Sequence, residues 1–268
     1  MYKAAFRLIP LALFALVAAC AGGTRELPYE RPANVRQSVL ALDHAWLVVA
    51  RGGATERAML EAAGFRFSPT INRHDGQGTA SARIDFENGH FELVWVEPDV
   101  PASGAGEVVR QRFASRADWR RTGEAPFGIG FRRTPATPAP FPFETWSVGG
   151  AWLGEGRQME MLSPRAAPTV TLFVTPNPAD VEANRAAVAA GGPAAERFVH
   201  SNGARRLTGV KLSAPTPSGL PPASSFVNSS GAAELIVGRE WLMEVELDFG
   251  AQNQSLDLRP QAPLIIRF

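Results

Sequence analysis

The chain has 268 residues, 45% apolar and 20% charged, with 27 basic against 26 acidic residues and a single cysteine, Cys20. Near-neutral charge removes any bulk attraction to nucleic acid, so no nucleic-acid partner is expected. A lone cysteine excludes a disulfide framework and any cysteine-cluster zinc or iron–sulfur site. The 25 glycines and 22 prolines point to a turn-rich, strand-rich body rather than a helical bundle.

Lys3 and Arg7 open the chain, and residues 8–19 form an apolar run that contains Pro10 and ends in small residues before Cys20. The run is too short to span a hydrocarbon core of ~30 Å comfortably. This is a secretory signal pattern over residues 1–19. Val17-Ala18-Ala19-Cys20 resembles the bacterial lipobox. The resemblance implies cleavage before Cys20, lipid on its sulfur and amine, and export to the cell envelope with a lipid anchor in the membrane. Ala21, standing where an Asp would retain such a protein, implies the periplasmic face of the outer membrane. Several acyl chains hold stably because each buried CH₂ contributes about 0.8 kcal/mol. Cleavage would remove Lys3 and Arg7 and no acid, leaving 25 basic against 26 acidic residues. Residues 20–36 are polar, aperiodic and proline-containing, as a tether is.

The body follows. Residues 39–50 read as a buried strand with Asp43-His44 inside it, and residues 54–63 as a helix stopped by Gly64. Residues 65–68 read as a short strand or extended piece and 72–78 as a turn-rich loop. Residues 79–86 alternate as a strand does, and Asn88-Gly89 signals a hairpin. Residues 90–97 alternate too, with Phe91, Leu93 and Trp95 on one face and Glu92, Val94 and Val96 on the other. Residues 106–120 suit an amphipathic helix, with Arg112, Arg116, Arg120 and Arg121 read as a solvated basic face. A strand at 127–133 leads into a proline-rich connection at 134–142. Residues 158–162 and 169–174 look like a strand pair, and 178–190 like a helix. Residues 207–213 begin a second β-(short α)-β-β-β run, with a helical piece at 221–226 and strands at 233–237, 241–249 and 263–268. The expected fold is α+β, built of repeated βαβββ modules: 37–133 with its following helix, a connecting segment at 134–200, and 201–268.

Leu42-Asp43-His44, Gly64-Phe65, His74-Asp75-Gly76-Gln77-Gly78-Thr79-Ala80 and Phe86-Glu87-Asn88-Gly89-His90-Phe91-Glu92-Leu93 resemble the glyoxalase-like branch of the vicinal oxygen chelate superfamily. The match covers roughly residues 40–97. Ser201–Ala204 and Leu207–Leu212 look like the opening of a second module. The resemblance implies a curved mixed sheet, an incomplete barrel around a cavity. In metal-dependent members the first strand gives a His or Glu and the last strand a Glu. His44 and Glu92 stand at those positions, which implies a divalent metal (Zn, Ni, Mn or Fe) on His44 and Glu92, with Glu92 also catalytic. Imidazole and carboxylate suit such an ion, whose open positions could hold two vicinal oxygens of a substrate. The second module offers only Lys211, which would repel a cation, and Glu244 and Glu246; His200 is a further donor in the loop before it. His74, Gln77, Thr79, Trp95 and Phe173 are the expected cavity residues. Two functional classes follow from the resemblance. One is a metal-assisted lyase, isomerase or dioxygenase acting on a small oxygenated molecule. The other is a lipoprotein that binds a small ligand or an envelope partner without catalysis. No nucleophile elbow, P-loop or H-E-x-x-H motif competes with them.

Overall fold

The computed structural model of the protein describes residues 38–165, 169–215 and 219–268. The expected signal peptide, tether and lipidation site at Cys20 lie outside the described residues.

Strand β1 (Leu40–Val48) leads through a short turn to helix α1 (Ala54–Ala62), which buries Leu60 and is ended by Gly64 at φ +87°. Next come β2 (Asn72–His74), β3 (Thr79–Phe86) and β4 (Gly89–Val96). Helices α2 (Ala105–Ala117) and α3 (Trp119–Thr122) separate these from β5 (Phe127–Arg133). Strands β6 (Trp146–Gly149), β7 (Gln158–Met161) and β8 (Thr171–Val174) complete one sheet. After α4 (Val181–Ala190) a second sheet is built from β9 (Leu207–Ala214), β10 (Glu234–Val237), β11 (Leu242–Leu247), β12 (Ser255–Asp257) and β13 (Leu264–Arg267). Helix α5 (Ser224–Ser230) joins β9 to β10. No described helix is long and apolar enough to cross a membrane.

The first sheet has eight strands in the order β2-β3-β4-β1-β5-β8-β7-β6, curled into a half-barrel. Each half has the same wiring. The first strand pairs in parallel with the last of its own half, β1 with β4 and β5 with β8, and the two first strands meet antiparallel. The expected α+β fold with a curved mixed sheet is therefore present. The half that faces the first module is Phe127–Val174, however, rather than the strands after residue 200. Its crossover from β5 to β6 has no helix, because residues 134–145 carry four prolines that deny a helix its backbone donors. The recurrence expected at 201–268 forms instead a five-stranded sheet, β10-β9-β11-β13-β12. It repeats the wiring in reduced form, with β9 parallel to β10, β11 parallel to β13, and β9 antiparallel to β11.

Three short strands differ from the sequence reading. The piece at 65–68 forms no strand, although the Ser68 N–H donates to the Arg83 carbonyl of β3 at 2.7 Å, and the edge strand is β2, three residues inside the expected loop. β6 and β12 also escape the alternation rule, being four and three residues long.

Most apolar residues converge between the two sheets. One core joins Leu47, Ile84, Phe91, Leu93, Phe127 and Phe131 of the first sheet to Val210, Leu212, Met243, Val245 and Leu264 of the second. A smaller cluster, Trp46, Val48, Val94, Met161 and Phe173, lies on the opposite face of the first sheet. That face is free of the second sheet and is partly covered by α2, whose Phe113 packs on the smaller cluster.

Candidate functional site

The uncovered face holds a cavity of about 590 Å³. Its lining comes from β1, β2, β4, α2 and the strands β6 to β8, so both halves of the sheet contribute.

Its polar wall starts with a bulge. Between Leu42 and His44 the β1–β5 register slips by one residue. Leu42 therefore faces the main core, as Ala45 and Leu47 do, while His44, Trp46 and Val48 face the other side. Asp43, the extra residue, is fully buried beside His44, and His44 Nδ1 lies 2.7 Å from Asp43 Oδ1. An ionised carboxylate only accepts, so Nδ1 carries a proton, and in the neutral imidazole Nε2 keeps its lone pair. The Ala179 N–H donates to Asp43 Oδ2 at 2.8 Å, and Arg132 Nη1 stands 3.6 Å from the same oxygen. Burial alone would raise the Asp43 pKa; the His44 hydrogen bond and charge outweigh it and hold the group below its ordinary value.

His44 is seated by a neighbouring strand. Gly130 is its register partner on β5, and a Cβ at Gly130 would stand 2.4 Å from His44 Cε1. Gly128 serves Trp46 the same way, with a Cβ 2.1 Å from the indole. The alternating glycines of Phe127-Gly128-Ile129-Gly130-Phe131 are thus the sequence signal for two rings lying flat on β5. Phe173 meets His44 edge-on, with centroids 5.2 Å apart.

On β4, the parallel register places His90, not Glu92, beside His44. The two imidazoles stack at 4.4 Å with 9° between their planes. Glu92 stands opposite Trp46 and pairs with His90 instead, Oε1 to Nε2 at 3.3 Å. Burial pushes the His90 pKa down, and nearby His44 adds to this. Burial would raise Glu92, but the contact with His90 and the proximity of His44 and His74 hold it well below the carboxylate range. The expected His44–Glu92 pair is thus replaced by two pairs, Asp43–His44 and His90–Glu92, stacked ring on ring.

The donor atoms of Asp43, His44 and His90 lie within 4.8 Å of one another, a possible metal-holding group. Its present arrangement does not suit an ion. Ligand bonds of about 2.0–2.2 Å need each imidazole lone pair to point at the metal in its ring plane. Nearly parallel rings stacked at 4.4 Å keep those lone pairs in separate planes, and Asp43 already accepts from His44 and Ala179.

The other expected residues divide. His74 and Gln77 line the cavity, as does Phe173. Thr79 is fully buried and positions them: its hydroxyl donates to Gln77 Oε1 at 2.5 Å and accepts from His74 Nδ1 at 2.8 Å. That leaves His74 Nε2 as an acceptor, and burial lowers the His74 pKa. Trp95 does not line the cavity. Strand alternation turns it, with Phe91 and Leu93, into the main core, where its Nε1 donates to Glu97 at 3.0 Å. His200 is also elsewhere, buried against Phe65 and Phe86 with both nitrogens used, accepting from the Arg66 N–H and donating to the Asp85 carbonyl. The basic helix face is split. Arg120 and Arg121 are exposed, but Arg112 and Arg116 line the cavity.

These shifts fix a pH dependence. His74, His90 and His200 titrate below their ordinary 6.5 when folded, so the unfolded chain takes up their protons first as pH falls through 6.5. Their stabilisation is complete above 6.5 and lost below it. Asp43 and Glu92 are depressed, so their stabilisation is present above 3.8 and 4.5 and lost as pH falls further. Asp248, raised by burial, opposes them. Thermal midpoints are expected to decline steadily from about pH 7 to about pH 4. A flat profile down to about pH 5 would contradict the buried-histidine assignment.

Residues 42–223 match the family of glyoxalase-like domains. A crystal structure described as that of a hypothetical protein from Staphylococcus aureus aligns with 86% of this chain and 99% of its own. The identity is 10% and the TM-score 0.43. A comparison with curated proteins gives no match. With the half-barrel sheet in place and about two thirds of its length matched, the chain belongs to the glyoxalase-like domain family of the vicinal oxygen chelate superfamily.

Proposed function

We propose that this glyoxalase-like protein is an exported envelope lipoprotein, anchored through Cys20, whose cavity takes up a small oxygenated molecule. One observation carries the uptake reading. A single cavity of about 590 Å³ sets a polar wall of His44, His90, Glu92 and His74 against an apolar wall of Trp46, Phe113, Trp146, Met161 and Phe173. A pocket mainly apolar with a few convergent polar groups is what small-molecule binding requires. The unprotonated Nε2 atoms of His44 and His74 suit hydroxyl donors on the guest. His44, fixed in tautomer by Asp43, is also placed to accept a proton from it. Support for export is the lipobox-like run ending at Cys20.

Metal-assisted lyase, isomerase or dioxygenase chemistry is the second reading, favoured by the closeness of Asp43, His44 and His90. It requires the stacked rings to turn. One experiment addresses both. The chain beginning after Cys20 contains every described residue, all in one compact unit. Purified without chelators, it would be assayed by thermal shift against hydroxy acids, oxo acids, diketones and catechols, and by elemental analysis. The expected result is stabilisation by at least one class, lost in His44→Ala, without stoichiometric metal. Stoichiometric metal that disappears in His44→Ala would establish the second reading instead. No stabilisation by any class would remove the first.

A further inference from the structure

The cavity carries more positive charge than its two histidine–carboxylate pairs need. Four arginines line it, Arg73, Arg83, Arg112 and Arg116, against one carboxylate, Glu92. Two of the four need no counter-charge from a guest. Arg83 Nε sits 2.8 Å from Asp85, and Arg73, which donates to the Asp99 carbonyl at 2.5 Å, is exposed to solvent. The α2 pair is different. Arg112 and Arg116 are one helical turn apart, so they project from the same side of α2. Arg112 donates to the Arg165 carbonyl and forms no ion pair among the described residues. Arg116 is 5% exposed; it donates to the carbonyls of Phe127 and Thr169, both at 3.2 Å. Its one ion pair among the described residues is a loose one, Nε to Glu124 Oε2 at 3.9 Å. Burial draws the Arg116 pKa down to about 10, so it stays charged at neutral pH. Carbonyls orient a guanidinium but do not neutralise it, and one loosely placed carboxylate offsets a buried charge only in part.

The surroundings define what would supply that counter-charge. The Arg116 guanidinium lies 5.7 Å over the Trp46 ring, and Trp46 packs on Phe113 at 5.4 Å. Trp146 lines the same cavity. His44 is two residues before Trp46 on the same strand face, hence about 6–7 Å along β1.

Building on the uptake reading, we infer that the guest is an aromatic organic acid. Its anionic group sits on Arg112 and Arg116, its ring lies among Trp46, Phe113 and Trp146, and an oxygen one ring-length away meets His44. A free inorganic anion would leave the aromatic walls unfilled, and a neutral aromatic would leave the arginines unanswered.

Two fluorescent probes separate this inference from the reading beneath it. One is 8-anilinonaphthalene-1-sulfonate, an aromatic anion; the other is N-phenyl-1-naphthylamine, its neutral relative. Both would be titrated into the chain beginning after Cys20. The anion is expected to bind at one site per chain, about tenfold more tightly than the neutral probe, the size of one charge-assisted hydrogen bond. Arg112→Gln should remove most of that difference and leave the neutral probe unchanged, while Arg112→Lys keeps part of it. Arg121→Gln, on an exposed arginine, should change neither. Arg112 is half-buried at the cavity edge, so its variants are suited to folding where an Arg116 variant is not. Equal affinity for the two probes, or an equal loss of both in Arg112→Gln, would overturn the inference and leave the cavity intact. Binding of neither probe would overturn the uptake reading itself.

Discussion

Asp43→Ala is expected to cost about 3–5 kcal/mol of folding stability, the range for removing one partner of a buried charged pair. The carboxylate is fully buried and serves three groups at once: the His44 Nδ1–H, the Ala179 N–H and the Arg132 guanidinium. Alanine would leave two buried donors unsatisfied and Arg132 without its only close carboxylate among the described residues. Arg132 also donates to the carbonyls of Leu42 and Asn88, at 2.7 and 2.9 Å, so the disturbance would reach the β3–β4 turn. Asp43→Asn preserves size but sets an amide where two donors point, and an intermediate loss is expected. Urea unfolding gives the cost. The ring-current shifts of the stacked His44 and His90 report whether the pair has come apart. A loss below about 1 kcal/mol with the stack intact would show that Asp43 does not hold the site.

Phe131→Ala is expected to cost about 3–5 kcal/mol for a different reason, the cavity left by a large ring in a packed core. Phe131 is fully buried on β5, with Leu42 of β1 and Val174 of β8 as its register partners. It stands where the two halves of the large sheet join and faces the five-stranded sheet. Strands on both sides lean on it, which leaves little freedom for collapse around an alanine. Because it points away from the ligand cavity, probe affinity at low denaturant should match the wild type. A stability loss accompanied by weaker probe binding would show that the two faces of the sheet are not independent.

The regular parts of this fold are legible in the sequence, and the departures have identifiable causes. β3 and β4 follow from alternation and the Asn88-Gly89 turn, since one face of each must be apolar. β2, β6 and β12 are too short to show a period, and their pairing comes from their neighbours. The partner half-sheet was hidden because its crossover lacks a helix, so a search for βαβββ alights on the later run that has one. At the site, His44 and Glu92 do reach one cavity, yet their direct partners are Asp43 and His90. A bulge is invisible to alternation, which would turn Asp43 away from His44. The choice of His90 over Glu92 depends on a parallel register that no local pattern encodes. Arg112 and Arg116 read as solvated on α2 taken alone; they are drawn inward because that face of the sheet has nothing else to cover it.

The two glycines of β5 bind distant positions into one hereditary unit. The imidazole of His44 lies flat only while residue 130 lacks a side chain, and the indole of Trp46 only while residue 128 does. The ring that faces the cavity and the vacancy that shapes its posture are therefore written in separate parts of the gene, and neither is free to drift alone. Among descendants of this chain, a branched residue at 130 should be tolerated only where position 44 has shrunk. The pair His44–Gly130 would then mark which relatives keep the same guest and which have given it up.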